Sequence, residues 1–198
     1  MKKGNWWSKA TDPAMYQKRV DIPPFKFVAS MYGENDSVFD VGCGSAIWAD
    51  NHKFYKKKGM YKGTDYTPEY VEESQKQHPE YEWEVMDANN LKEEDNSWDI
   101  YLAIHALEYT RGYEKPILEG CRIARKKVVI VWWVPLSQRE DNVIRTVNQK
   151  NEVEYSLYSE NLFNRFIHSI KGWKVIVSNL IINDQHGRPN YIFILEKR

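Results

Sequence analysis

Cysteine is scarce: the 198 residues hold only Cys43 and Cys121. That excludes a disulfide framework. Neither cysteine stands in a CxxC or other metal-ligand spacing, so free thiols in a reducing compartment and no metal site are expected. An excess of charge of either sign is also missing. Lysine plus arginine and aspartate plus glutamate number 28 each, so no overall field draws the chain toward nucleic acid or an anionic membrane. Long hydrophobic runs are absent too, and the longest, Val128 to Val134, is too short to span a bilayer. The opening residues, MKKGNWWSKATDP, carry lysines but not the apolar stretch of a signal peptide. The expectation is a soluble cytoplasmic protein, monomer or homodimer, with neither nucleic acid nor membrane as a partner. No internal repeat is present, and the length suits one domain with a substantial core. What is plentiful is aromatic. Eight Trp and thirteen Tyr are more than a core of this size would hold wholly inside, so some should line a cleft.

Residues Ser37 to Ala46, SVFDVGCGSA, organise the rest. Val38, Phe39 and Val41 make a short apolar run bounded by turn formers, as a buried parallel strand would. Asp40 interrupts it, and a carboxylate there needs a strong partner, either backbone amides or a cationic ligand. Gly42 and Gly44 then allow a tight turn and direct approach of a ligand to the backbone. From Ile47, apolar residues recur at helical spacing through Tyr55, with Gly59 as the expected stop. Strand, glycine turn and helix form a nucleotide-site arrangement, with free amides at the helix start suited to an anionic group. A dinucleotide fingerprint fails, because GxGxxG needs glycine where Ile47 stands.

Further along, residues 60–64 read as a second strand ending in Asp65, 23 residues after Gly42, where a carboxylate can grip a ribose. Thr67-Pro68 opens a helix to Gln77. Third and fourth strands are expected over 82–86 and 98–104, with Asp87 and His105 at their ends, then a helix over 116–124 and a fifth strand over 127–134. Residues 138–148 read as a helix, 152–158 as irregular or extended, and Ser159 caps a helix stopped at Gly172. Two strands over 173–181 and 191–196 close the chain as a hairpin. This alternation predicts an α/β fold: a doubly wound, mostly parallel sheet with helices on both faces and one antiparallel strand. Residues 1–36, with a short helix near 14–20, are expected to cap the sheet edge or close aromatic rings over a ligand. Residues 37–198 form the domain proper.

In order and spacing, VFDVGCGSA, GTDYTPEYVE and VMDANNLKEEDNSWDIYLAIHALEY resemble the first motif, second-strand acid, and third and fourth strands of class I S-adenosylmethionine-dependent methyltransferases, especially the small-molecule type 11 group. EYSLYSENLFNRFIHSIKGWKV is similar to their late Tyr-Ser helix and sixth strand. The resemblance covers roughly residues 37–197, departing at Ala46, where many members carry a third glycine. It implies a single Rossmann-like, seven-stranded sheet with a C-terminal antiparallel hairpin, S-adenosyl-L-methionine as cofactor and methyl transfer to an O, N or other nucleophile of a small-molecule acceptor. The implied cofactor-binding residues are Asp40, Gly42, Cys43, Gly44, Asp65, Tyr66, Asp87, Ala88, Ile104 and His105. Of these, Asp40 stands near the ammonium group, Asp65 at the ribose hydroxyls and Asp87 at the adenine amino group.

Methyl transfer from a sulfonium needs positioning more than covalent help. If the acceptor must lose a proton, His105 is the candidate base, with a pocket-shaping role as the alternative, and Glu108 is second. Topology places substrate contacts on the N-terminal aromatics Trp6, Trp7 and Tyr16, on Trp133 and on His186 in the loop 183–190. The basic clusters 56–58 and 122–127 precede strands, on the edge away from the cofactor, and read as solvated helix ends. Two other readings are a methyltransferase-like regulatory subunit without turnover and a nicotinamide oxidoreductase, the latter opposed by Ile47.

Overall fold

In the chain's computed structural model, residues 20–134, 136, 144–148 and 153–198 are described. Helix α1 (Pro23–Ser30) precedes β1 (Val38–Val41), α2 (Ile47–Phe54), β2 (Tyr61–Asp65), α3 (Pro68–Gln77), β3 (Glu82–Val85) and β4 (Trp98–Ile104). There follow a 3-10 turn (Leu107–Tyr109), α4 (Glu114–Ile123), β5 (Ala124–Trp132), β6 (Ile144–Asn148), β7 (Val153–Leu157), α5 (Glu160–Ser169), β8 (Trp173–Asn183) and β9 (Pro189–Lys197). The main sheet has seven strands in the order β3-β2-β1-β4-β5-β9-β8. All neighbours through β5 are parallel, and β9 runs antiparallel to both β5 and β8. This is the doubly wound arrangement with one antiparallel strand that the sequence pattern predicts.

Strand periodicity divides the core in two. Tyr101, Ala103, Val128, Ile130, Trp132, Phe193 and Leu195 point to the face covered by α4 and α5. Ile100, Leu102, Val129, Val131, Ile192 and Ile194 point to the opposite face, with α1 and α2. Central strands buried on both faces read as continuous apolar runs, which is why 128–134 stands out in the sequence. Among the described residues no helix is long and apolar enough to cross a membrane.

Four local expectations need correction. Helix α2 is not stopped by Gly59: Lys56 takes a left-handed φ of 53°, while the amides of Lys56 and Lys57 donate to the carbonyls of Lys53 and His52, a Schellman closure. Gly59 answers to a different constraint, since a Cβ there would lie 2.0 Å from the Asp36 carbonyl oxygen. Residues 138–148 read as helix, yet the described part is strand β6, paired antiparallel with β7; its β-branched Ile144, Thr146 and Val147 favour an extended chain. Strand β5 starts at Ala124 rather than 127, directly after α4, across a register irregularity between Trp98 and Ile100. The basic clusters are structural ties rather than solvated ends. Lys57 Nζ donates to the carbonyls of Ala29 and Tyr32 at the end of α1, and Arg122 pairs with Glu119 and Asp95.

Helix α1, begun by the Pro23-Pro24 pair, is not legible in the sequence as a helix. Its Phe25, Val28 and Ala29 are buried in the same cluster as β1 and α2, so the described part of residues 1–36 is packed into the domain. The short helix expected near 14–20 falls outside the described residues, apart from Val20, which sits in a turn.

Candidate functional site

Parallel strands bring their C-terminal ends to one edge, and there a cleft of about 950 Å³ opens. Its floor on one side comes from the segments that follow β1, β2 and β3. Gly42 has φ 66°, and a Cβ on it would lie 2.6 Å from the Ala106 methyl. Gly44 has φ 52°, and a Cβ there would meet nothing within 4 Å, so its backbone lies bare to the cleft. Ala46, at the start of α2, takes the same left-handed region with φ 59° while fully buried. The site asks for glycine-like geometry there, and this chain meets it with alanine.

Three acids stand along this side. Asp40 is buried, its Oδ2 accepting from the Tyr61 hydroxyl at 2.6 Å, and burial pushes its carboxyl up to about 7. Asp65 bridges the turns: Oδ2 accepts from the Gly44 amide (3.0 Å) and Oδ1 from the Thr67 amide (2.9 Å). Burial raises its pKa against the pull of those amides. Asp87 Oδ1 accepts from the amide and the side chain of Asn89, both at 2.8 Å, fixing an Asx turn beside Ala88. Tyr66, Met86 and Ala88 complete this wall. Cys43 lines it too, but burial holds its thiol well above the usual range, which makes it an inert filler.

The other side is built from β4, β5 and β9. His105 follows Ile104 with φ 53°, its amide held by the Val131 carbonyl at 2.8 Å and its ring 6.2 Å from that of Phe25. Strained backbone in a cleft wall is a feature of functional positions. His105 Nε2 lies 2.8 Å from Oδ1 of buried Asn190, whose Nδ2 donates to the Arg188 carbonyl at 3.3 Å. This network assigns the proton to Nε2, so in the neutral ring the basic lone pair belongs to Nδ1. Trp133 is 37% exposed, with its ring 5.4 Å from that of Tyr155.

Two expectations fail here. Glu108 does not line the cleft. It is fully buried, Oε1 accepts from the Trp133 amide at 2.7 Å, Oε2 makes no hydrogen bond, and burial pushes the carboxyl up to about 8. A group so enclosed positions the Trp133 turn and does not touch a substrate. His186 is exposed and off the cleft, because the loop turns it outward while Asp184 and Arg188 line the wall. Trp6, Trp7 and Tyr16 lie outside the described residues. Sequence reading missed Phe25, Tyr109, Arg111 and Tyr155, all cleft-lining. The one available signal was the tyrosine-rich stretch 155–158.

The acid-lined side fits S-adenosylmethionine: a buried carboxyl suited to a cation, a glycine backbone open to contact, and a second acid, Asp65, lining the cleft at the end of the next strand. Residues 38–126 match a family model for a methyltransferase domain. No curated protein sequence matches the chain significantly. Solved structures do. An S-adenosylmethionine-dependent methyltransferase from Aquifex aeolicus is 19% identical, with 95% of this chain and 100% of that one covered and a TM-score of 0.62. One from Methanosarcina mazei is 15% identical, covering 86% and 96%, at 0.64. The 1,6-didemethyltoxoflavin-N1-methyltransferase of Burkholderia thailandensis, solved with 1,6-didemethyltoxoflavin and S-adenosylhomocysteine bound, is 12% identical, covering 88% and 76%, at 0.64. At such identities the structures speak for the fold, which is the one described above. The family match runs from β1 to the start of β5, a little under half of the chain, and together with the shared fold it supports a methyltransferase domain that uses S-adenosylmethionine.

Proposed function

We infer that the protein methylates a small-molecule acceptor held over β4, β5 and β9, with the cofactor over β1, β2 and β3. The observation that carries this reading is that one cleft is lined from both sides. Its roughly 950 Å³ stands at the upper end of the ~300–1,000 Å³ usual for small-molecule sites. The cofactor supplies an electrophilic methyl on a sulfonium sulfur. On this reading Asp40 receives the ammonium group, the backbone at Gly42, Cys43 and Gly44 lies along the methionine and ribose, and Asp65 takes the ribose hydroxyls. Asp87 accepts from the adenine amino group beside Ala88 and Tyr66, and the Ile104 carbonyl helps hold the amine.

The chain's remaining work is to align the acceptor and exclude water. His105 would take the proton of an acceptor hydroxyl as that oxygen is methylated, or of an acceptor ammonium beforehand so that its nitrogen has a lone pair to attack with; the bound cofactor would supply the methyl group and keep the electron pair of the broken C–S bond on sulfur. Calorimetric titration of S-adenosylmethionine and S-adenosylhomocysteine, with NAD as control, tests the first half of this reading. His105→Asn tests the second. Asparagine tolerates the left-handed backbone, so kcat is expected to fall about 100-fold with cofactor affinity unchanged. Equal losses of both would make His105 a pocket residue.

A further inference from the structure

The strand order separates charge along the cleft. Asp40, Asp65 and Asp87 stand at the ends of β1, β2 and β3, and among the described lining residues no lysine or arginine joins them. Arg111 follows β4, and Arg188 precedes β9. At about 4.8 Å per strand, Arg188 stands on the order of 19 Å from Asp65. Neither arginine forms an ion pair among the described residues, and both are exposed at the cleft wall.

The counter-charge on that side among the described residues is Asp184, which is held by the loop backbone and also feels the Arg188 charge. Its Oδ1 accepts from the amides of His186 (2.8 Å) and Arg188 (2.9 Å), closing the loop that carries Arg188. Among the described lining residues, two arginines against one aspartate leave this side positive. Trp133, 37% exposed and with its ring 5.4 Å from that of Tyr155, lines the same cleft as the two arginines. Arg111 is also held in place: the Tyr158 hydroxyl lies 3.1 Å from the Thr110 carbonyl and accepts from the Gly112 amide at 3.3 Å.

Resting on the methyl-transfer reading above, we propose that the acceptor is a planar ring bearing an anionic group, carboxylate or phosphate. The ring lies on Trp133 and the anion is gripped by Arg111 and Arg188. Guanidinium forks suit either anion, and an indole face suits a conjugated ring.

The test titrates benzoate, phenyl phosphate and benzamide into protein saturated with S-adenosylhomocysteine, followed by tryptophan side-chain NMR shifts. At least one anion should bind tenfold or more tightly than neutral benzamide, and which one does so identifies the group. Arg111→Gln and Arg188→Gln, both surface changes, should each remove most of that advantage while leaving S-adenosylhomocysteine affinity within twofold. Benzamide binding as well as both anions, or no binding of any of the three, overturns the proposal. So does an equal loss of S-adenosylhomocysteine affinity in the variants, which would assign the arginines to the cofactor's own carboxylate. If S-adenosylhomocysteine itself fails to bind, the fault lies in the methyl-transfer reading.

Discussion

On the β1–β3 side of the cleft, the lining groups come from the turn that directly follows each strand, and they hold one another through backbone: Asp65 on the Gly44 amide, Asp87 on its own Asx turn. On the β4–β5–β9 side each group is fixed by a residue far away in sequence. His105 is held by Asn190, the Trp133 amide by Glu108, and the Arg111 loop by Tyr158 and by Ser156, whose hydroxyl donates to the Thr110 carbonyl at 3.1 Å. The first side is held largely through backbone amides of neighbouring turns, and the second by side chains that reach across the sheet. Changes in the first side should therefore act through backbone strain and lost amide partners. Changes in the second should act through burial and charge.

The largest expected effect is at Gly42. Gly42→Ala combines a left-handed alanine with a contact 2.6 Å from the Ala106 methyl, and should cost roughly 2–4 kcal/mol of stability in urea unfolding. A variant as stable as the parent would refute the close approach between the two turns.

Glu108→Gln probes the other side. A carboxyl near 8 in the folded protein and near 4.5 when unfolded means that the native state holds more protons between those values. Its contribution to stability is thus full below about 4.5 and is lost as pH rises through about 8, at roughly 1.4 kcal/mol for each pH unit between the two values. Glutamine keeps the acceptor for the Trp133 amide without the charge, so the variant should be more stable than the parent at pH 8 and should lose most of the decline. Asp40, raised to about 7, and Asp65, also raised, contribute to what remains by the same cause. Identical pH–stability curves for variant and parent would show that Glu108 ionises freely.

Asp65→Ala should lower S-adenosylmethionine affinity by about 1.5–3 kcal/mol by calorimetry. Because the Gly44 and Thr67 amides lose their acceptor, it should also cost about 1–3 kcal/mol of stability. A loss of affinity with no loss of stability would mean that water replaces the carboxylate. The smallest effect belongs to His186→Ala, expected to leave turnover within twofold, since the ring is exposed and off the cleft. A larger drop would bring the loop's outer face into the site.

These contrasts track what could be read without coordinates. Strand β4 was legible to the residue, because a strand buried on both faces is a continuous apolar run. The acids at 40, 65 and 87 were legible because each interrupts or ends such a run. Helix α1 was not, since Pro23-Pro24 reads as loop until one sees that it opens a helix whose Phe25 packs on Trp48 at 5.5 Å. The role of Glu108 was misread for a related reason. Its position beside a candidate base suggested chemistry, whereas its burial beneath the Trp133 turn makes it a support.

The sequence by itself determined the strand-and-helix alternation, the glycine turn and the three acids, because period, turn chemistry and strand-end position are local properties of the chain. Only the tertiary structure decided that Asn190 sets the His105 proton, that Glu108 is sealed away while Trp133 is open, and that Arg111 and Arg188 share one wall. Those facts depend on which strands become neighbours, and β9 enters the sheet beside β5 from about sixty residues further along the chain.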